Sequence, residues 1–191
     1  MASILEQPAV REVVLPISVE QYHRLGEAGI VPEQTELLRG FVVEQMIKTP
    51  LHTWMVQRLV DWLRDVVPAE LHVRQEQPLT LADSEPEPDA AVVEGTREDY
   101  RRRHPSTARL VVEVAVATAE LDRAKAELYA TAAIPEYWLV LPEQRAVEVF
   151  RDPAGGSYRH VEGMASPGVL DAQTLPGAEI DLGTLFATEE E

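Results

Sequence analysis

Apolar residues recur along the chain with two spacings, one typical of helices and one typical of strands. Intervals of three and four residues run through residues 50–68, which predicts a long helix with one buried face. A shorter helix is expected from a capping box that begins at Ser18 to a stop near Gly29. A third helix is predicted over residues 118–133.

Strand-like alternation fills much of the remaining sequence. "TELLRGFVVEQM", residues 35–46, predicts a hairpin with a tight turn at Arg39 and Gly40, because glycine readily takes the positive φ of such a turn. The run "RLVVEVAV", residues 109–116, is apolar at both odd and even positions, which indicates a central strand covered on both faces. Further strands are expected within residues 70–81, 90–94, 135–152 and 155–164.

These elements predict a single α/β domain. We expect a mixed central β-sheet with a helix on each face and added antiparallel hairpins. Residues 169–187 are weakly patterned and are expected to pack across the sheet. The domain is expected to cover residues 1–188, and residues 189–191 are expected to be disordered.

Length and composition narrow the class of protein. With 191 residues and 21.3 kDa, the chain can bury a core without crosslinks. It contains no cysteine, which excludes disulfides and thiolate metal sites and favours a reducing compartment. The N-terminal stretch lacks the features of a signal peptide, and no apolar run is long enough to span a bilayer. We therefore expect a cytoplasmic protein.

The formal charge of −16 argues against a general nucleic-acid-binding surface, because the field of the protein repels phosphates. Clustered carboxylates that bind a divalent cation would still allow action on phosphates. The basic run from Arg101 to His104 has two interpretations, a DNA-phosphate contact or a solvated cluster beside acidic neighbours. Arg101 and Arg102 are therefore candidate substrate-binding residues.

Glu113 lies in the middle of the most apolar strand of the chain. An ionised carboxylate there is unfavourable unless it is paired, hydrogen-bonded or bound to a cation. One interpretation is a strand-end glutamate that reaches water. The other is a functional carboxylate, which gains support from Asp89 at the start of the neighbouring short strand and from Lys125 one helix away.

The lysine belongs to a polar stripe on the third predicted helix. Asp122, Lys125 and Tyr129 share that stripe, which is offset from the apolar residues expected to face the core, Leu121, Ala124 and Leu128. A solvated Asp122–Lys125 ion pair is one interpretation. However, the helix directly follows the central strand, so its first turns lie near the strand end where ligand sites form in α/β sheets.

Two carboxylates and a lysine are the groups that metal-assisted phosphodiester hydrolysis needs. Asp89, Glu113 and the backbone carbonyl of Val114 could hold Mg²⁺, or Mn²⁺, with most of its waters. The ion would activate a bound water, and Lys125 would orient that water or stabilise the transition state.

Several stretches together resemble one known family. "PDAAVV", "LVVEV" and "DRAKAELYATAAIPEYWLV" are similar to the Uma-type family of endonucleases, a branch of the PD-(D/E)XK restriction-endonuclease-like superfamily. "ELLRGFVVEQMIKTPLHTWMVQRLVDWL" extends the resemblance, which spans most of residues 35–150. The resemblance implies a restriction-endonuclease-like fold and a Mg²⁺-dependent endonuclease that acts on DNA.

Carried over to this sequence, the resemblance implies Asp89 and Glu113 as metal-binding carboxylates and Lys125 as the active-site lysine. Glu44 and His52 also match family positions that line the cleft. Glu44 would bind the metal or a second ion, and His52 would contact phosphate. The resemblance also implies a homodimer or a higher homo-oligomer.

Two departures from the family pattern leave a second hypothesis open. Ala115 occupies the position two after Glu113, where the superfamily usually has its lysine, and "AVATAE" replaces a Ser-Pro-Ser-like turn. The alternative is a catalytically inactive scaffold or protein-interaction domain. A Lys125 ammonium in the metal position would favour the scaffold, and metal binding between Asp89 and Glu113 would favour the enzyme.

Overall fold

The computed structural model describes residues 8–11 and 13–187. The predicted disordered tail, residues 189–191, lies outside the described residues. The prediction of a mixed α/β fold is confirmed, with one six-stranded sheet and two added two-stranded hairpins.

The six-stranded sheet has the strand order β3-β4-β5-β6-β7-β8. Its strands are β3 (Leu71–Gln75), β4 (Ala90–Glu94), β5 (Leu110–Val114), β6 (Glu136–Leu141), β7 (Ala146–Ala154) and β8 (Ser157–Ala165). Strands β5 and β6 are parallel, and all other neighbours in this sheet are antiparallel. The antiparallel pairing of β4 with β5 brings the start of β4 beside the end of β5.

Five helices accompany the sheet in the described residues. They are α1 (Pro8–Arg11), α2 (Val19–Glu27), α3 (Pro50–Val66), α4 (Ala119–Thr131) and α5 (Leu182–Phe186), with 3₁₀ turns at Arg97–Tyr100 and Pro142–Gln144. Helix α4 connects the parallel strands β5 and β6, which require a crossover connection. None of the helices in residues 8–11 and 13–187 has the length and apolar character needed to cross a membrane.

One face of the sheet packs against α3. The helix contributes Met55, Leu59 and Leu63, all almost fully buried, to a core that includes Val112 and Trp138 of the sheet. The C-terminal hairpin, β9 (Val169–Asp171) with β10 (Glu179–Asp181), and α5 join the same core, which confirms that this region packs across the sheet.

The other face packs against α4, but the side of α4 that faces the sheet differs from the prediction. Leu128 is buried as expected, whereas Leu121 is 37% exposed and Ala124 is exposed. The buried side of the helix carries Lys125 and Tyr129 instead. The expectation that Leu121 and Ala124 face the core was wrong, because Lys125 and Tyr129 have a polar partner on the sheet, Glu113, and take that side of the helix.

The first hairpin consists of β1 (Thr35–Leu38) and β2 (Phe41–Glu44). Its turn has positive φ at both central residues, 51° at Arg39 and 79° at Gly40, as predicted for a tight hairpin. A Cβ at Gly40 would lie 2.3 Å from the Cβ of Pro16, so glycine is required there for space as well as for backbone conformation. Arg39 also donates to Glu127 and Thr131 of α4, which joins the hairpin to the helix side of the sheet.

Candidate active site

Asp89 occupies the position just before β4 and has its carboxylate held on two sides. The Val114 N–H, at the end of β5, donates to Asp89 Oδ2 at 2.7 Å. His52 Nε2, from the first turn of α3, lies 3.1 Å from the Asp89 carboxylate. The backbone N–H of Asp89 in turn donates to Glu113 Oε2 at 3.3 Å. The two carboxylates singled out from the sequence are therefore adjacent.

Glu113 points away from α3 and toward α4, because its neighbours Val112 and Val114 take the α3 face of the sheet. It is only 3% exposed. Its Oε1 accepts hydrogen bonds from the Lys125 ammonium at 3.0 Å and from the Tyr129 hydroxyl at 2.8 Å. The buried carboxyl group of Glu113 therefore has hydrogen-bond donors within the protein. The interpretation of Glu113 as a strand-end residue that reaches water is wrong.

Lys125 lies at the centre of a group of carboxylates. Its Nζ is 3.0 Å from Glu113, 3.0 Å from Glu36 and 3.7 Å from Asp122. All four side chains are buried, at 8% exposure or less. Glu36 is fixed by the Glu87 N–H at 2.8 Å, and Asp122 accepts from the Thr118 hydroxyl. The interpretation of Asp122 and Lys125 as a solvated pair is therefore also wrong.

Burial and the excess of negative charge determine the protonation of this group. Burial raises the pKa of Glu113 to about 8; Lys125 opposes the rise, while Asp89, Asp122 and Glu36 add to it. Burial also raises the pKa of Asp122. For Lys125, burial alone would lower the pKa, but the surrounding carboxylates raise it well above its ordinary value. Lys125 is thus an ammonium, and the uncompensated negative charge favours uptake of a proton or of a cation.

These groups open onto one cleft of about 110 Å³. Its lining includes Asp89, Glu113, Lys125 and His52 at the inner end, and Glu44 on β2 nearer the surface. The cleft lies where the C-terminal end of β5 meets the start of α4, as the sequence predicted.

Comparison with known proteins identifies the family of the chain. The model of the Uma2 family, described as "Putative restriction endonuclease", matches residues 19–183. The chain belongs to the Uma2 family. Family and fold together indicate a restriction-endonuclease-like nuclease.

The fold of this Uma2 protein is similar to that of a protein of known structure, described as a putative nuclease belonging to DUF820 from Anabaena variabilis. The TM-score is 0.73 at 16% sequence identity, and the alignment covers 90% of this chain and 98% of the other. No curated protein matches the chain.

The structure brings most of the predicted site residues of this Uma2 protein together. Glu44 lines the cleft, but its side chain is exposed and it is not part of the hydrogen-bonded group. Arg101 and Arg102 are exposed on the segment after the 3₁₀ turn at Arg97–Tyr100 and do not line the cleft. His104 contacts Arg74 through Nδ1 at 3.1 Å.

Glu36 is the principal residue that the sequence did not reveal as part of the site. It lies in β1 and reaches Lys125 because the β1–β2 hairpin folds over the α4 side of the sheet. The only signal in the sequence was a charged residue beside apolar ones in a short strand, and that pattern is equally typical of a solvent-facing position.

The residues present fit a hard divalent cation. Asp89 and Glu113 supply adjacent carboxylates, and Val114 also lines the cleft. Within residues 8–11 and 13–187, no group of three or more His, Asp or Glu side chains is arranged to hold an ion alone. Such a donor set is sufficient for a divalent cation that keeps several of its waters and needs only one or two protein carboxylates.

Proposed function

We propose that the protein is a Mg²⁺-dependent endonuclease that hydrolyses DNA phosphodiester bonds, with Mn²⁺ as a substitute ion. The observation that carries the proposal is the meeting of Asp89 and Glu113 in one cleft, with the Lys125 ammonium 3.0 Å from Glu113. Membership of the Uma2 family supports the reaction class.

Asp89 and Glu113, with the Val114 carbonyl, would hold the ion, and Glu44 is available for the same ion or a second one. The bound ion would supply Lewis-acid stabilisation of the phosphate and a water of lowered pKa. The Val114 N–H and the Tyr129 hydroxyl each donate to one of the two carboxylates, so they fix the orientation of the ligands.

Lys125 acts through its positive charge. Because the neighbouring carboxylates keep it protonated, it is not a general base. An ammonium beside the carboxylates stabilises negative charge that develops on the phosphate and orients the attacking water.

His52 would contact a phosphate oxygen from the wall of the cleft. Its Nδ1 is buried and has no hydrogen-bond partner among the described residues, while its Nε2 lies 3.1 Å from Asp89. Arg101 and Arg102 lie away from the cleft lining, so we assign them to DNA that flanks the scissile bond.

One observation favours a second candidate function, a catalytically inactive scaffold. Lys125 bridges Glu113 and Glu36 and so provides much of the compensating charge that a metal ion would provide. In a scaffold, the ammonium would hold the β1–β2 hairpin to the sheet, and the carboxylates would have no role in catalysis.

Calorimetric titration with Mg²⁺ and Mn²⁺, combined with nicking of supercoiled DNA, separates the two candidates. We expect the parent protein to bind metal and to nick DNA, and Glu113→Gln to lose both. Glu120→Gln changes an exposed carboxylate in the first turn of α4 and serves as the matched control. A parent protein that neither binds metal nor nicks DNA would exclude the enzyme and leave the scaffold.

The proposal includes a homodimer, as the family resemblance implies, in which two sites would meet the two strands of the DNA. Phe41 and Val42 on β2 are 44% and 40% exposed and provide an apolar surface for the contact. Light scattering on the purified protein tests this, and a monomer at all concentrations would contradict it.

A further inference from the structure

The chain contains two lysines, Lys48 and Lys125, among 17 lysines and arginines, and both line the same cleft. The other members of this set are all arginines. Lysine differs from arginine in carrying a compact charge on a flexible stem with three rotatable donors. The placement of both lysines at one cleft therefore suggests that a compact, mobile positive charge has a function there.

The two lysines differ in how they are engaged. The Lys125 side chain is 7% exposed, and its ammonium lies against Glu36 and Glu113. Lys48 lies between β2 and α3, next to the α3 cap residue Thr49, and its side chain is 40% exposed. Lys48 can therefore reach a ligand without breaking the buried group.

The partner of Lys48 lies outside the cleft lining. Its Nζ is 2.8 Å from Glu76 Oε1, and the Glu76 side chain is 30% exposed. Glu76 follows β3, and its N–H donates to the Asp89 carbonyl at 3.1 Å, which places the pair next to the predicted metal ligand. A partly exposed ion pair of this kind contributes little to stability. Lys48 can therefore leave Glu76 for another anion at a small cost in free energy.

The cleft needs such a cation if a phosphodiester is to enter it. The carboxylates that line it outnumber the lysines by six to two: Glu36, Glu44, Glu87, Asp89, Glu113 and Asp122. Burial tends to lower the pKa of Lys48, but Glu76, Asp89 and Glu87 more than offset this and raise it, so the side chain is charged. The N-terminal end of α3 adds positive potential on the same wall.

We propose that Lys48 is a substrate-binding residue that exchanges its ion pair with Glu76 for a phosphate of the DNA, adjacent to the scissile bond. This inference rests on the proposed function, because it takes DNA as the occupant of the cleft. Glu76 competes with the substrate for the ammonium, and Lys125 remains with the carboxylates.

Selective acetylation of amines measures the exchange directly. In the protein with Mg²⁺, N-hydroxysuccinimidyl acetate should modify Lys48 readily and Lys125 slowly, because only Lys48 is accessible. Supercoiled DNA in excess should slow the acetylation of Lys48 several-fold, as followed by peptide mass spectrometry. The Glu113→Gln variant repeats the measurement with uncut DNA.

Steady-state cleavage by variants separates substrate binding from a structural role. We expect Lys48→Gln to raise KM for DNA about tenfold with kcat within about twofold, the pattern of lost uniform binding through a charged hydrogen bond. Lys48→Arg should restore KM to within about threefold of the parent value but not fully, because it keeps the charge while replacing the compact ammonium with a rigid planar group. Glu76→Gln should lower KM, since it removes the competing carboxylate.

The dependence of DNA affinity on salt gives an independent readout. Loss of one phosphate contact should reduce the slope of log affinity against log salt concentration by about 0.9 in Lys48→Gln. Arg159→Gln removes an exposed cation that is paired with Asp152 and serves as the matched control, with no change in KM or kcat.

Each outcome decides the proposal. Protection of Lys48 by DNA together with the rise in KM supports it. Cleavage by the parent with Lys48 unprotected and an unchanged KM in Lys48→Gln overturns the Lys48 proposal and leaves the nuclease intact. A parent that cuts no DNA while DNA still protects Lys48 overturns the nuclease and supports the phosphate contact. Absence of both cleavage and protection overturns both.

Discussion

The raised pKa of Glu113 predicts that this residue contributes less to the stability of the metal-free protein as the pH rises through neutrality. In the unfolded chain this carboxyl releases its proton near its ordinary pKa of 4.5, whereas in the folded protein it keeps the proton up to about pH 8. Between these values the folded state binds more protons than the unfolded state. The contribution of Glu113 to the free energy of unfolding must therefore fall with increasing pH over this window, whereas His72 and His104, whose pKa is lowered mainly by burial, contribute with the opposite sign below their ordinary pKa.

The size of the effect follows from the width of the window. Each pH unit within it corresponds to about 1.4 kcal/mol, so up to about 3 kcal/mol should be lost between about pH 5.5 and about pH 8. Burial raises the pKa of Asp122 as well, so the contribution of Asp122 has the same sign. Glu113→Gln cannot ionise at this position, so the dependence that comes from Glu113 should be absent from the variant.

Urea denaturation of both proteins in EDTA across this pH range measures the difference. We expect the variant to gain in stability relative to the parent as the pH rises, by up to about 3 kcal/mol. Glu120→Gln should follow the parent, because its carboxylate is exposed. A parent and a Glu113→Gln variant whose stabilities differ by a constant amount at every pH would refute the reasoning, since Glu113 would then have an ordinary pKa in the fold.

Two further changes test other parts of the structure. Lys125→Met should lower the free energy of unfolding at neutral pH by about 3–5 kcal/mol, because Glu36 and Asp122 lose their shared buried cation and Glu113 loses a hydrogen-bond donor. Urea denaturation measures this loss, and a loss below about 1 kcal/mol would contradict the assigned role. Gly40→Ala should destabilise the protein by about 1–3 kcal/mol, because the added Cβ would lie 2.3 Å from the Cβ of Pro16 at a backbone φ of 79°. Thermal denaturation measures this loss, and a midpoint equal to that of the parent would show that the turn relaxes without cost.

The pattern of apolar and polar residues in the sequence was sufficient to predict the main layers of the fold. Residues 109–116 were predicted as a central strand from apolar residues at both odd and even positions, and β5 is buried on both faces. The long helix over residues 50–68 and the hairpin turn at Gly40 were also predicted correctly. These elements could be recognised because their signals are local, namely periodicity, capping and turn residues.

The side of α4 that faces the sheet could not be predicted from these local signals. Hydrophobic periodicity places apolar residues in the core, but here the buried stripe includes Asp122, Lys125 and Tyr129. Their burial depends on Glu36 and Glu113, which come from two other elements, and no local rule connects these positions. Glu36 was missed for the same reason.

We propose that Glu113, the carboxylate in the most apolar strand, lowers the stability of the protein and in exchange contributes to the binding of a cation. Glu113 is buried with three further carboxyls and one ammonium, and its raised pKa reflects the unfavourable energy of its charged form. A bound divalent cation would make the charged form of Glu113 favourable, because the excess negative charge of the cleft would then attract the cation. A structural glutamate would be expected to have a matched partner and an ordinary pKa. The mismatch between four carboxyls and one buried cation is therefore itself an argument that the cleft is built to receive a further positive charge.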